Sequence, residues 1–106
     1  MPGSFLVVLS TYPSLTQAKQ ISRLLVERRL AACVNILGPI QSFFWWKGKV
    51  DRAREYLLVI KTKTNRFRSL QTVIEKRHPY SVPEIIALPI RKGNTPYLNW
   101  LRASIR

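Results

Sequence analysis

The side chains able to ligate a metal or move a proton near neutral pH are few in this chain. His78 is its only histidine, and imidazole is the commonest intracellular ligand for copper or zinc. Pro79 follows it and holds its backbone extended. The plainer role for such a residue is a helix-terminal histidine that hydrogen-bonds locally or faces solvent. Cys33 is the only cysteine. Its thiolate would ligate a soft metal if His78 or Glu84 came close, whereas on packing grounds alone it reads as a small buried hydrophobe. A metal site needs at least three donors, from one chain or from two across an interface.

Catalytic constellations are thinner still. One histidine and one aspartate, Asp51, are placed together by no motif, and neither a nucleophile elbow nor a phosphate-cradling glycine loop occurs. Glu27, Glu55, Glu75 and Glu84 fall on different elements, so paired carboxylates are unsupported as well. The expectation is a protein that is not an enzyme. Trp45 and Trp46 beside Lys47 and Lys49 invite a nucleic-acid reading, since bases stack on aromatic faces. The third strand, Glu55-Tyr56-Leu57-Leu58-Val59-Ile60, lacks the aromatic motif of an RNA-recognition sheet. Packing in the core or in a subunit interface is the reading preferred for both tryptophans.

The elements that must position these residues come from a chain of 106 residues, the size of a single domain. Apolar residues make up 46% of it, and no run approaches the roughly 18 residues of a membrane span. Met1-Pro2-Gly3-Ser4 lacks the pattern of a secretory signal, and a lone cysteine suits a reducing compartment. A cytoplasmic protein with no membrane partner is expected. Eighteen Lys and Arg stand against five Asp and Glu, for a formal charge of +13. The basic residues never run longer than a pair and occur throughout, so they describe a positive surface as well as a docking stripe. Nucleic acid is not the expected partner; non-specific binding to it remains a lesser alternative, which steep salt dependence would reveal.

Ser4 to Tyr12 reads as a buried first strand ended by Pro13. Ser14 and Gln17 form a capping box opening a helix that runs to about Arg29, with Ala18, Ile21, Leu24 and Leu25 on its apolar side. Ala32 to Trp46 is a second strand interrupted at Gly38-Pro39, and Glu55 to Lys63 a third, leaving a hairpin turn and its flanks between Trp46 and Glu55. Thr64 or Asn65 caps a second helix stopped before Pro79. Val82 to Ile90 is a fourth strand, and Thr95-Pro96 opens a terminal amphipathic helix. This split βαββαβ order is an antiparallel four-stranded sheet with two helices on one face. Its other face, and a hairpin carrying Phe43, Phe44, Trp45 and Trp46, both demand cover that the last helix alone does not supply. Pairing with copies of itself is the expected solution.

Four ordered segments then carry a resemblance: Leu30-Ala31-Ala32-Cys33-Val34-Asn35-Ile36; Phe44-Trp45-Trp46-Lys47-Gly48-Lys49; His78 to Ile90; and Gly93-Asn94 before Tyr97-Leu98-Asn99-Trp100-Leu101. Together they closely resemble the CutA family of divalent-cation tolerance proteins. The resemblance implies an α+β, ferredoxin-like sandwich with an extra C-terminal helix, in a PII-like homotrimer that binds copper(II) or another divalent cation. It also makes Cys33, His78 and Glu84 the metal candidates, and the hairpin aromatics the subunit interface. Some metal-binding members carry cysteine where this chain has Ser10 and histidine where it has Arg77. Serine is a poor copper ligand and arginine none, so only His78 survives of that set. A PII-like module holding a small anionic ligand in inter-subunit clefts is the alternative function.

Overall fold

The computed structural model describes residues 4–105; the sequence reading of Met1 to Gly3 lies outside them. The order is β1 (Phe5–Tyr12), α1 (Leu15–Glu27), β2 (Cys33–Trp46), β3 (Lys49–Lys63), α2 (Phe67–Arg77), β4 (Ile86–Pro89) and α3 (Thr95–Ser104). The strands lie in the order β2-β3-β1-β4 with every neighbouring pair antiparallel, the sheet of a ferredoxin-like sandwich.

The elements form for local reasons. Ser14 caps α1, its hydroxyl accepting the Gln17 backbone N–H at 3.1 Å. The Gln17 side chain completes the pair differently from a capping box, with Oε1 accepting from the Ser14 hydroxyl at 3.2 Å. Neither Thr64 nor Asn65 caps α2; a 3-10 turn over Thr64–Arg66 leads into it without a side-chain bond. The last helix starts at Thr95, so its N-cap position is Asn94, one residue before the predicted Thr95 and without a side-chain bond, and Pro96 fits the helix start.

Two strands differ more. The hairpin turn is only Lys47-Gly48, with φ of 51° and 77°, and β3 begins at Lys49 rather than Glu55. Both positive φ values are those of a tight two-residue turn whose twist matches its strands. Pairing therefore continues from Trp46↔Lys49 to Ile40↔Glu55 through residues expected to be turn flanks. The fourth strand shrinks from Val82–Ile90 to Ile86–Pro89, pairing only with Leu6 to Leu9 of β1. Pro83 has no N–H for a ladder, and the chain before Ile86 runs free of the sheet.

At Gly38 the register of β2 shifts, as the Gly38-Pro39 pair predicted. The position has φ of 150°, and a Cβ there would lie 2.7 Å from Tyr56 Cδ1 and 3.0 Å from the Glu55 carbonyl oxygen. Gly38→Ala is expected to cost roughly 2–3 kcal/mol, from backbone strain and the close approach together. Urea unfolding of the variant would measure it; a midpoint equal to that of the parent would show that the bulge relaxes freely.

The core lies between the sheet and α1 with α2, where Leu6, Val8, Leu58 and Ile60 meet Ala18, Ile21, Leu25, Leu70 and Ile74, all buried. Among the described residues the opposite sheet face is covered only at one end, where Leu101 and Ile105 pack on Phe5 and Ala32. Directly paired residues share a face. One row across the open face is therefore Leu88, Val7, Lys61 and Cys33, and the next Ile86, Leu9, Val59 and Asn35. Ile86 and Leu88 are each about half exposed. Beyond this face the hairpin runs on with Phe43, Phe44, Trp45 and Trp46 all exposed, Trp45 at 75%.

Candidate functional site

At the end of the sheet where β1 stops, four polar or aromatic side chains meet. Helix α2 ends at Arg77, and His78 is extended (φ −80°, ψ 136°), as its place before Pro79 requires. Its Nε2–H donates to the Thr11 carbonyl oxygen at 2.7 Å, and its Nδ1 accepts the Tyr80 backbone N–H at 3.1 Å. The ring stands between two others, with centroids 4.1 Å from Tyr12 and 4.9 Å from Tyr80. The Tyr80 hydroxyl then donates to Glu55 Oε2 at 2.7 Å. Glu55 is buried, one position beyond the Tyr12↔Tyr56 pair that ends the β1–β3 ladder. Strand end, long hairpin and the segment after α2 are thus tied together.

The network favours neutral groups. Burial lowers the His78 pKa below its usual 6.5, outweighing the Thr11 carbonyl and the nearby Glu55, both of which act to raise it. Burial, helped by the bond to Glu55 and its charge, pushes the Tyr80 phenol up to about 12. Burial alone takes Tyr12 to about 12. The Tyr12 hydroxyl and the Ser10 hydroxyl are both buried without a hydrogen-bond partner among the described residues.

With one imidazole nitrogen donating and the other accepting, His78 has no lone pair left for a metal. Cys33 lies elsewhere, half-buried at the start of β2. Its thiol donates to Asn35 Oδ1 at 3.8 Å and accepts from Lys61 Nζ at 3.9 Å, while Lys61 also donates to Asn35 Oδ1. Burial raises the Tyr97 pKa, reinforced by the nearby Cys33 thiol. Glu84 is exposed in the stretch between α2 and β4. Among the described residues no three His, Cys, Asp or Glu side chains converge to hold a metal, so Cys33, His78 and Glu84 are not brought together within one subunit. The Lys61 ammonium beside Cys33 further opposes a cation there.

Glu55, Tyr80 and Tyr12 are the members that sequence reasoning missed. The His78-Pro79-Tyr80 spacing carried a local signal, because a tyrosine two residues on can return its N–H to the ring. Nothing in the sequence links Glu55 to them.

The pattern of the family described as CutA1 divalent ion tolerance protein matches residues 6–104. The Thermus thermophilus divalent-cation tolerance protein CutA is 51% identical over 96 residues, covering 91% of this chain and 93% of that protein. Human protein CutA is 45% identical over 102 residues, 96% of this chain but 57% of its own length. The crystal structure of CutA1 from Oryza sativa superposes with a TM-score of 0.95 at 42% identity, covering 99% of this chain and 96% of that one. Among the described residues no helix is long and apolar enough to cross a membrane. In sequence and in backbone alike, this chain belongs to the CutA1 divalent ion tolerance family.

Proposed function

We propose that this protein serves divalent-cation tolerance as a cytoplasmic, PII-like homotrimer, by binding rather than catalysis. The observation that carries the assembly is the apolar open face of the sheet, continuous with an exposed aromatic hairpin that a lone subunit leaves in water. The family supports the cation. The chemistry of the donors bears on where it would sit, since the described residues of one subunit assemble no three ligands and a site needs donors from at least two subunits.

Copper(II) is the cation we propose. Cys33 is its first donor, because the thiol is half-buried on the open face, where a neighbouring subunit can approach once the Lys61 ammonium beside it turns away. Glu84, exposed, is the next candidate, and His78 ranks last, since it would have to release the Tyr80 N–H. Calorimetric titration of the assembled protein with copper(II) tests this order. Cys33→Ser is expected to weaken binding at least about tenfold, and His78→Ala to leave affinity within about threefold. An isotherm unchanged by Cys33→Ser removes the thiol from the account, and one abolished by His78→Ala reverses the ranking.

A further inference from the structure

Helix α1 and the end of α2 leave a cleft of about 290 Å³ between them, lined by Tyr12, Gln17, Gln20, Ile21, Leu24 and Arg77. Its polar groups are rich in donors. Gln17 Oε1 is already the acceptor for the Ser14 hydroxyl, which turns its amide NH2 outward as a donor. Arg77 is exposed, and the only salt bridge among the described residues joins Arg23 to Glu27, leaving the Arg77 guanidinium without a carboxylate partner. Tyr12, 1% exposed, forms the floor, and its hydroxyl has no hydrogen-bond partner among the described residues. Among the described residues no acidic one lines the cleft. Gln17 also stands in the first turn of α1, where the helix dipole favours negative charge.

We propose that this cleft binds a small carboxylate with an apolar body, the acid group meeting the Arg77 fork and the glutamine amides, the body packing on Ile21, Leu24 and the Tyr12 floor. A planar carboxylate suits a guanidinium that presents two parallel N–H groups. The cavity volume lies at the small end for ligand pockets, which limits the body to about one ring. A cation finds no carboxylate among the described residues of the cleft, only the neutral oxygens of Gln20 and Tyr12, and the Arg77 guanidinium repels it. The site is distinct from Cys33 and from the open sheet face, and it stands whether or not copper binds.

Benzoate is the probe, with benzamide as its uncharged isostere, titrated into the full assembled chain while backbone amide shifts are followed. Saturable shifts are expected at residues 17–24 and 77–78, with benzamide causing none that saturate. Arg77→Gln, an exposed change that leaves the core alone, is expected to weaken benzoate at least about tenfold. Tyr12→Phe is expected to weaken it about threefold. Shifts that never saturate, or that scatter over the lysines and arginines of the hairpin, would mean attraction to the +13 surface only and would overturn the site. So would an Arg77→Gln variant that binds benzoate as tightly as the parent.

Discussion

Replacing Trp45 and Trp46 together by alanine is expected to take the proposed trimer apart, with light scattering falling to the 12.3 kDa of one chain at micromolar concentration. The two residues are adjacent in β2 and so point to opposite sides of the hairpin, opposite Val50 and Lys49. Phe43 shares a side with Trp45, and Phe44 with Trp46. Trp45 is 75% and Phe43 66% exposed, an arrangement that costs free energy in water and gains it when a neighbouring subunit covers it. A tryptophan buries 150–250 Å² when covered, worth roughly 4–6 kcal/mol at about 25 cal/mol per Å² as an upper bound. Even half of that, lost in each subunit, moves the assembly equilibrium by several powers of ten. The hairpin ladder is backbone-bonded and retains its turn, so strand content measured by circular dichroism is expected to persist. An intact, equally heat-stable trimer would place the subunit contact elsewhere.

The second large effect is expected at His78. His78→Ala removes the acceptor of the Tyr80 N–H, the donor to the Thr11 carbonyl and the ring between Tyr12 and Tyr80. Two hydrogen bonds in a part-buried setting and two aromatic contacts together suggest a loss of about 2–4 kcal/mol. The pH dependence gives a separate signature. The folded pKa of His78 lies below the 6.5 of the free side chain, because burial disfavours the charged ring. Between those two values the unfolded chain binds more protons than the folded one, so stability rises with pH through that window. The contribution is fully present above 6.5 and is lost as the pH falls from there through the folded value. Protonation would also fill Nδ1, the acceptor for the Tyr80 N–H. Urea midpoints measured from pH 7.5 to 4.5 are expected to lose this acid-side slope in His78→Ala. A variant whose midpoints track those of the parent across the range would show that the imidazole does not titrate against folding.

The order of elements was legible because the apolar periods change where the backbone does. Phe5 to Leu9 reads as a continuous run, since that strand is central in the sheet. Ala18, Ile21 and Leu25 recur at the spacing of one helix face, and all three are buried. Ser14, Pro79 and Gly38-Pro39 marked a cap, a helix end and a bulge through local chemistry alone. The length of the hairpin was less legible. Lys49 to Arg54 looks like a turn by composition, and only pairing with the aromatic half of β2 makes it strand. β4 erred in the other direction, its apolar run outlasting the few residues that β1 can pair.

Sequence by itself determined the sandwich, the bare sheet face and the exposed aromatic hairpin that began the case for self-assembly, because each follows from short-range periodicity and from the two faces of a sheet. Only the tertiary structure decided which polar groups meet. It joined Glu55, 25 residues distant in the chain, to Tyr80, turned both nitrogens of His78 inward, and kept Cys33 and Glu84 from completing a metal site with it in one subunit. Contacts between residues far apart in sequence depend on strand order and register, and a change of one residue in register turns a side chain to the opposite face.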